Sequence, residues 1–216
     1  MTHRSLSIAL AVLALAPTLA GASAPHYRGV GLARLDVTAG AVGQAAGWLQ
    51  TRSGEMRAVQ RDGGRHAATA RLRFRLLGAS DDVAPLGSGL VRQQIGLKLR
   101  AADPCNLVYV MWRSAPDSRI AIFVKRNPGE KTSAQCGNGG YTDIATVPAA
   151  TADDGAVHTL EARTRRTADG GLVLSVRTDG VFWARESLPV ALVAGLDGPI
   201  GVRSDDGSYA FRLAVR

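Results

Sequence analysis

Residues 70–77 read Ala-Arg-Leu-Arg-Phe-Arg-Leu-Leu, so Arg71, Arg73 and Arg75 alternate with Ala70, Leu72, Phe74 and Leu76. A period of two belongs to a half-buried strand and sends three guanidinium groups to one face. Planar forks at that spacing suit carboxylates or sulfates repeated along an extended polyanion. Gln94, Lys98 and Arg100 share a face on the next predicted strand, so the two strands together are expected to form one basic patch. Tyr109, Trp112, Arg113 and Tyr141 supply, near the cysteine loop, side-chain types that stack on sugar rings. A competing reading places Tyr109 and Trp112 in the core and pairs Arg71 to Arg75 with acids such as Glu161 on a neighbouring strand.

Other chemistries lack their residues. Retaining glycoside cleavage needs two carboxylates about 5 to 5.5 Å apart. None of Glu55, Glu130, Glu161 and Glu186 has an acid two or four positions away, the spacing that would put a pair on one strand face. His158 is expected to face inward beside Leu160 and Ala162, and His66 stands alone. The pairs Asp81-Asp82, Asp153-Asp154 and Asp205-Asp206 supply too few oxygens for calcium, which takes six to eight, and read as solvated turns. There is no Walker loop, dinucleotide fingerprint or Cys-x-x-Cys. No catalytic residue, metal ligand or cofactor is assigned.

The scaffold that must position these groups is legible in outline. The chain has 216 residues, 46% hydrophobic and 20% charged, with 25 Gly and 9 Pro but only 5% aromatics. This composition excludes disorder and favours a turn-rich all-β domain. About twelve short strands are expected, with weaker ones near 30–37, 55–60 and 141–147, and six Asp-Gly pairs lie between or beside them. Together they predict a two-sheet antiparallel β-sandwich. Arg4, the apolar run Leu6 to Ala16, the break at Pro17 and Ala20-Gly21-Ala22 have the layout of a signal peptide over residues 1–22, leaving one domain over 23–216. The apolar run is too short to stay in a bilayer as an anchor. Export, to the periplasm or beyond, predicts that Cys105 and Cys136 are joined, closing a loop whose chain-entropy value is roughly 3.7 kcal/mol. The 26 Lys+Arg against 18 Asp+Glu give a formal charge of +8, almost all of it arginine. That excess suits planar contacts with anionic groups, although a genome that writes Arg for Lys would also produce it.

The runs DGAVHTLEARTR, GLVLSVRTDGVFWARES and GPIGVRSDDGSYAFRLAV resemble the closing strands of the concanavalin A-like lectin/glucanase superfamily, the group of laminin G-like modules. Asp154, Gly155, His158, Asp179, Gly180, Gly198, Ile200, Gly201, Arg203, Ser204 and Asp205 carry the likeness, and Val157 stands where the family usually has Trp. The resemblance implies a jelly roll and a carbohydrate partner but fixes no activity. Arg52-Ser53-Gly54-Glu55-Met56-Arg57 and Gln94-Ile95 are similar to strands of the alginate-lyase-like members, with an insertion in the first and Gly96 in place of a histidine. In those members Arg, Gln or Asn neutralises a uronate carboxylate and Tyr or His moves protons. The expectation is a secreted, non-enzymatic module for acidic glycans, with no nucleic-acid partner and no membrane span. A polysaccharide lyase acting on uronate polymers and a structural adhesion domain are the alternatives.

Overall fold

A computed structural model describes residues 26–61, 68–87, 89–152 and 155–216. The expected signal peptide lies outside the described residues, as do His66, Asp62-Gly63 and Asp153-Asp154. The strands are β1 (Arg28–Val30), β2 (Leu35–Ala39), β3 (Gly43–Ala45), β4 (Trp48–Thr51), β5 (Glu55–Gln60), β6 (Thr69–Ala79), β7 (Gln94–Asp103), β8 (Asn106–Arg113), β9 (Arg119–Lys125), β10 (Tyr141–Pro148), β11 (His158–Arg166), β12 (Leu172–Thr178), β13 (Val181–Leu188), β14 (Gly201–Asp205) and β15 (Gly207–Val215). One-turn helices occupy Ser133–Cys136 and Val190–Val193. No helix among the described residues is long and apolar enough to cross a membrane.

The strands form two antiparallel sheets. The front sheet has the order β10-β9-β8-β7-β14-β5-β2, and the back sheet runs β13-β12-β11-β6-β15-β4-β3 with β1 paired to β15. Alternation sends Leu72, Phe74, Leu160, Leu174 and Phe211 of the back sheet against Ile95, Leu97, Val110, Trp112 and Ile122 of the front sheet, all essentially inaccessible to water. Phe74 packs edge-on against Trp112, with ring centroids 5.4 Å apart. The expected sandwich is therefore present, and Trp112 belongs to its core rather than to a sugar-binding surface.

Two local expectations change. β6 and β7 pair with different strands in opposite sheets, so Arg71, Arg73 and Arg75 do not share a patch with Gln94 and Lys98. The alternation fixed which side chains leave the core; it carried no information about which strand lies alongside. Arg100 departs from the face of Lys98 because the β7–β8 register shifts beyond Leu99 and Arg100 takes a left-handed φ of 52°. Its guanidinium instead donates to Thr164 and Asp197. Among the Asp-Gly pairs, Asp179-Gly180 makes a two-residue hairpin with both φ positive, at 48° and 82°. Asp206-Gly207 instead carries the chain from the front sheet to the back sheet.

A cationic cleft on the front sheet

The outward face of the front sheet is built from register. Arg57, Arg203 and Gly96 lie side by side on β5, β14 and β7, and the next row holds Gly201, Lys98, Tyr109 and Phe123. Glu55, Asp205 and Gln94 form the row on the other side. Gly96 and Gly201 are required by close packing, since a Cβ would come within 2.2 Å of the carbonyl oxygens of Val110 and Ala58 respectively. They leave the floor low between the cations. The result is a cleft of about 420 Å³ bordered by Arg57, Lys98, Tyr109, Lys125, Tyr141 and Arg203, with Glu55 and Asp205 as its acids. A second compartment of about 220 Å³ shares Leu86, Gly87, Asn138, Tyr141 and Arg203 with it and adds Arg92, Gln94 and Asp143.

Asp205 organises the cations. Its buried carboxylate accepts from Arg57 Nη2 at 2.7 Å, Gln94 Nε2 at 2.7 Å and Arg203 Nε and Nη2 at 2.9 and 3.2 Å. Burial alone would raise the Asp205 carboxyl, but Arg203 and Arg57 hold it below the ordinary carboxylate range. The Arg203 guanidinium, pulled down by burial, is in turn held above its ordinary value chiefly by Asp205. Asp205 thus fixes two guanidinium groups, Glu55 adds an ion pair to Arg57 at 3.3 Å, and Lys98 and Lys125 leave the cleft positive. The third amino group, Arg203 Nη1, donates to the Tyr141 hydroxyl at 3.3 Å, and the Arg203 fork lies over the Tyr109 ring, 5.0 Å from its centroid.

Lys98 is the anomaly of the site. It is only 3% exposed, and the charged groups acting on it, Arg57, Arg203 and Lys125, are all cations. Burial first, and those cations second, push its ammonium down to about 8. Lys125 donates to the Gly137 carbonyl at 2.7 Å and lies 5.1 Å from the Tyr141 ring. Tyr109 and Tyr141 stack with centroids 6.2 Å apart and planes at 23°. Tyr109 is buried, which raises its phenol, whereas Tyr141 is 40% exposed and presents its ring to the cleft.

Two loops border the cleft from above, and both are tied down. Asp206 accepts from the backbone amides of Ala84 and Arg92, at the two ends of one loop. The Cys105–Cys136 disulfide joins the other, residues 127–140, to the β7–β8 hairpin, and Asn127 donates to the carbonyls of Cys105 and Gly139. The loops touch where Gly87 passes Asn138, so closely that a Cβ on Gly87 would overlap the Asn138 side chain.

No protein-family model matches the chain, and no curated protein matches it in sequence. Solved structures do match it in shape. The metal-free carbohydrate recognition domain of Emp46p is 10% identical, covers 84% of this chain and 88% of its own, and has a TM-score of 0.55. The exoplasmic/lumenal domain of VIP36, in a Ca2+/Man3GlcNAc-bound form, is 14% identical with coverages of 86% and 84% and a TM-score of 0.50. The GH43 protein BlXynB from Bacillus licheniformis is 11% identical with a TM-score of 0.50, but only 33% of its chain is covered. The fold is the concanavalin A-like jelly roll.

Of the residues singled out in the sequence, this jelly roll brings Gln94, Lys98, Tyr109 and Tyr141 into the cleft. Arg113 lies beside Gln94 in register but is engaged by Asp117. Trp112 is in the core, its Nε1 donating to the Ala150 carbonyl. Arg71, Arg73 and Arg75 face outward from the back sheet, and Arg71 donates twice to Glu161 Oε2. His158 is in the core against Phe74 and Trp112, with Nδ1 on Asp179. Arg57, Lys125, Arg203 and Asp205 went unassigned in the sequence. Arg57 lay in a fragment similar to alginate lyases and Arg203 in a segment read for fold alone, whereas Asp205-Asp206, read as a solvated turn, are both buried, Asp205 by its arginines and Asp206 by the loop amides it accepts.

Proposed function

We propose that the protein is an exported carbohydrate-binding module that holds acidic glycans in the front-sheet cleft. The observation that carries this reading is Lys98, an ammonium buried among three other cations with no acidic partner among the described residues. Such an arrangement opposes folding until an anion enters, and a carboxylate or sulfate on a sugar supplies one. Arg57 and Arg203 are already oriented by Asp205, so little freedom remains to be lost on binding. The exposed Tyr141 ring offers a stacking face for the pyranose beside that anion. Carbohydrate recognition by the jelly rolls of Emp46p and VIP36 supports the partner class. The signal-peptide layout and the disulfide support export.

A second reading, a polysaccharide lyase, is favoured by one contact, the Tyr141 hydroxyl at 3.3 Å from Arg203 Nη1. A phenol beside a guanidinium that neutralises a uronate can carry the proton of an elimination. The experiment is titration with polymannuronate, polyguluronate and pectate against dextran while ultraviolet absorbance is followed for unsaturated sugar. Saturable binding of uronates without a rise in absorbance is expected. A rise that is lost in Tyr141→Phe establishes the lyase instead, and equal affinity for dextran overturns the acidic preference.

A further inference from the structure

The back sheet turns a second, larger basic face to solvent, opposite the cleft. Its outward positions carry Arg71, Arg73 and Arg75 on β6, Arg163 and Arg165 on β11, Arg177 on β12, Arg185 on β13 and Arg212 on β15. Among the described residues, Glu161 is the only acid at an outward position of β6, β11, β12 and β13, in register between Arg71 and Arg177. Arg73 lies directly opposite Arg212, a like-charge pairing that costs stability in an antiparallel sheet. Two depressions, of about 610 and 320 Å³, share Arg71, Glu161 and Arg177 on this face.

The guanidinium groups are braced. Arg71 lies 3.8 Å from the centroid of Tyr27, and the Trp48 ring is shared by Arg75 at 4.8 Å and Arg212 at 4.5 Å. Arg71 also donates to Glu161 and Arg212 to the Gly47 carbonyl. Arg73, Arg163, Arg165, Arg177 and Arg185 have no hydrogen-bond or ion-pair partner among the described residues, which leaves their planar forks free for oxygen acceptors. Neighbouring strands stand about 4.8 Å apart and outward residues on one strand about 6.7 Å apart, so the forks form a regular grid suited to an anion repeated along a chain. Tyr27 and Trp48 sit beneath guanidiniums rather than free to enter a bilayer, which favours a linear polyanion over a lipid surface.

We infer that this face is a second binding surface for a carboxylated or sulfated polysaccharide, and that the protein bridges two polyanion chains. The bridging half rests on the cleft reading above. The two sheets are back to back, about 10 Å apart, with the cleft and the arginine face directed away from each other, so each face takes its own chain.

The test compares wild type with Arg73→Gln/Arg163→Gln/Arg177→Gln on the back sheet and with Lys98→Met/Tyr141→Ala in the cleft, each checked by circular dichroism for an intact fold. Calorimetric titration with size-defined polyuronate and heparin oligosaccharides, near physiological salt, should give two sites on wild type and one on either variant. With long polymer, wild type should raise light scattering through a maximum as the protein to polymer ratio increases, and both variants should bind without that rise. The polyuronate and heparin arms distinguish carboxylate from sulfate as the anion. A back-sheet variant that keeps two sites and full scattering overturns the inference. So does binding of wild type, but not of that variant, to phosphatidylglycerol vesicles when neither oligosaccharide occupies a second site. A cleft variant that keeps both sites while the back-sheet variant loses one overturns the cleft reading alone and leaves the arginine face standing.

Discussion

Lys98→Met should make the protein more stable and a poorer glycan binder. Burial and three neighbouring cations bring the ammonium from 10.5 down to about 8. At about 1.36 kcal/mol per pH unit, that difference corresponds to about 3 kcal/mol of disfavoured charge. The folded value lies below the unfolded one, so the unfolded chain binds more protons between them. Stability therefore rises with pH from about 8 to about 10.5, and the full penalty acts below about 8. Methionine keeps the apolar stem and removes the charge. For a domain of this size, about 3 kcal/mol is roughly 6–12 °C in Tm as an upper bound. Differential scanning calorimetry at about pH 7 should show a gain that disappears near pH 10.5, while calorimetric titration shows weakened uronate binding. A loss of stability at both pH values, or a gain with unchanged affinity, would refute the role given to Lys98.

Other consequences of the same cleft can be checked directly. Uronate binding near pH 9 should take up close to one proton as the ligand restores the Lys98 ammonium, read from binding enthalpies in buffers of different ionisation heat. Asp205→Asn leaves Arg57 and Arg203 without their shared carboxylate and should cost about 3–5 kcal/mol in urea unfolding. Because Asp205 is held below its unfolded value, its contribution is present above about pH 4 and is lost as pH falls through the folded value. Replacing Cys105 and Cys136 by serine should speed amide exchange in 127–140 more than in β6 or β8, with a stability loss no larger than roughly 3.7 kcal/mol. Trp112→Ala should cost about 3–5 kcal/mol while leaving the glycan affinity of the folded protein unchanged, since the ring lies between the sheets.

Strand alternation made the sandwich legible, because period two is a local property of a chain with one dry face. It also placed Arg71, Arg73 and Arg75 outward, and residue type singled out Gln94, Lys98, Tyr109 and Tyr141, which line the front-sheet cleft. Partnership between strands is not local. The chain from Ser80 to Gln93 crosses from one sheet to the other, and nothing in its residue types distinguishes that path from a long hairpin. The single expected patch therefore divides into a cleft and an arginine face. β3 and β4, three and four residues long, carry too little alternation to register. Arg203 and Asp205 escaped notice for another reason: Asp205 and Asp206 open an Asp-Asp-Gly run, which in a sequence reads as a solvated turn. Only the register of β14 between β5 and β7 shows that Asp205 serves two arginines and that Lys98 lies in the next row of the same floor.

The central claim, that acidic glycans occupy the front-sheet cleft, is tested most directly by hydrogen–deuterium exchange of the intact protein with and without a saturating uronate oligosaccharide. The account predicts protection in the peptides containing Arg57, Lys98, Tyr141 and Arg203 and in both bordering loops, abolished when dextran oligosaccharide replaces the uronate. Unchanged exchange across these peptides, with protection confined to the back sheet, would contradict it.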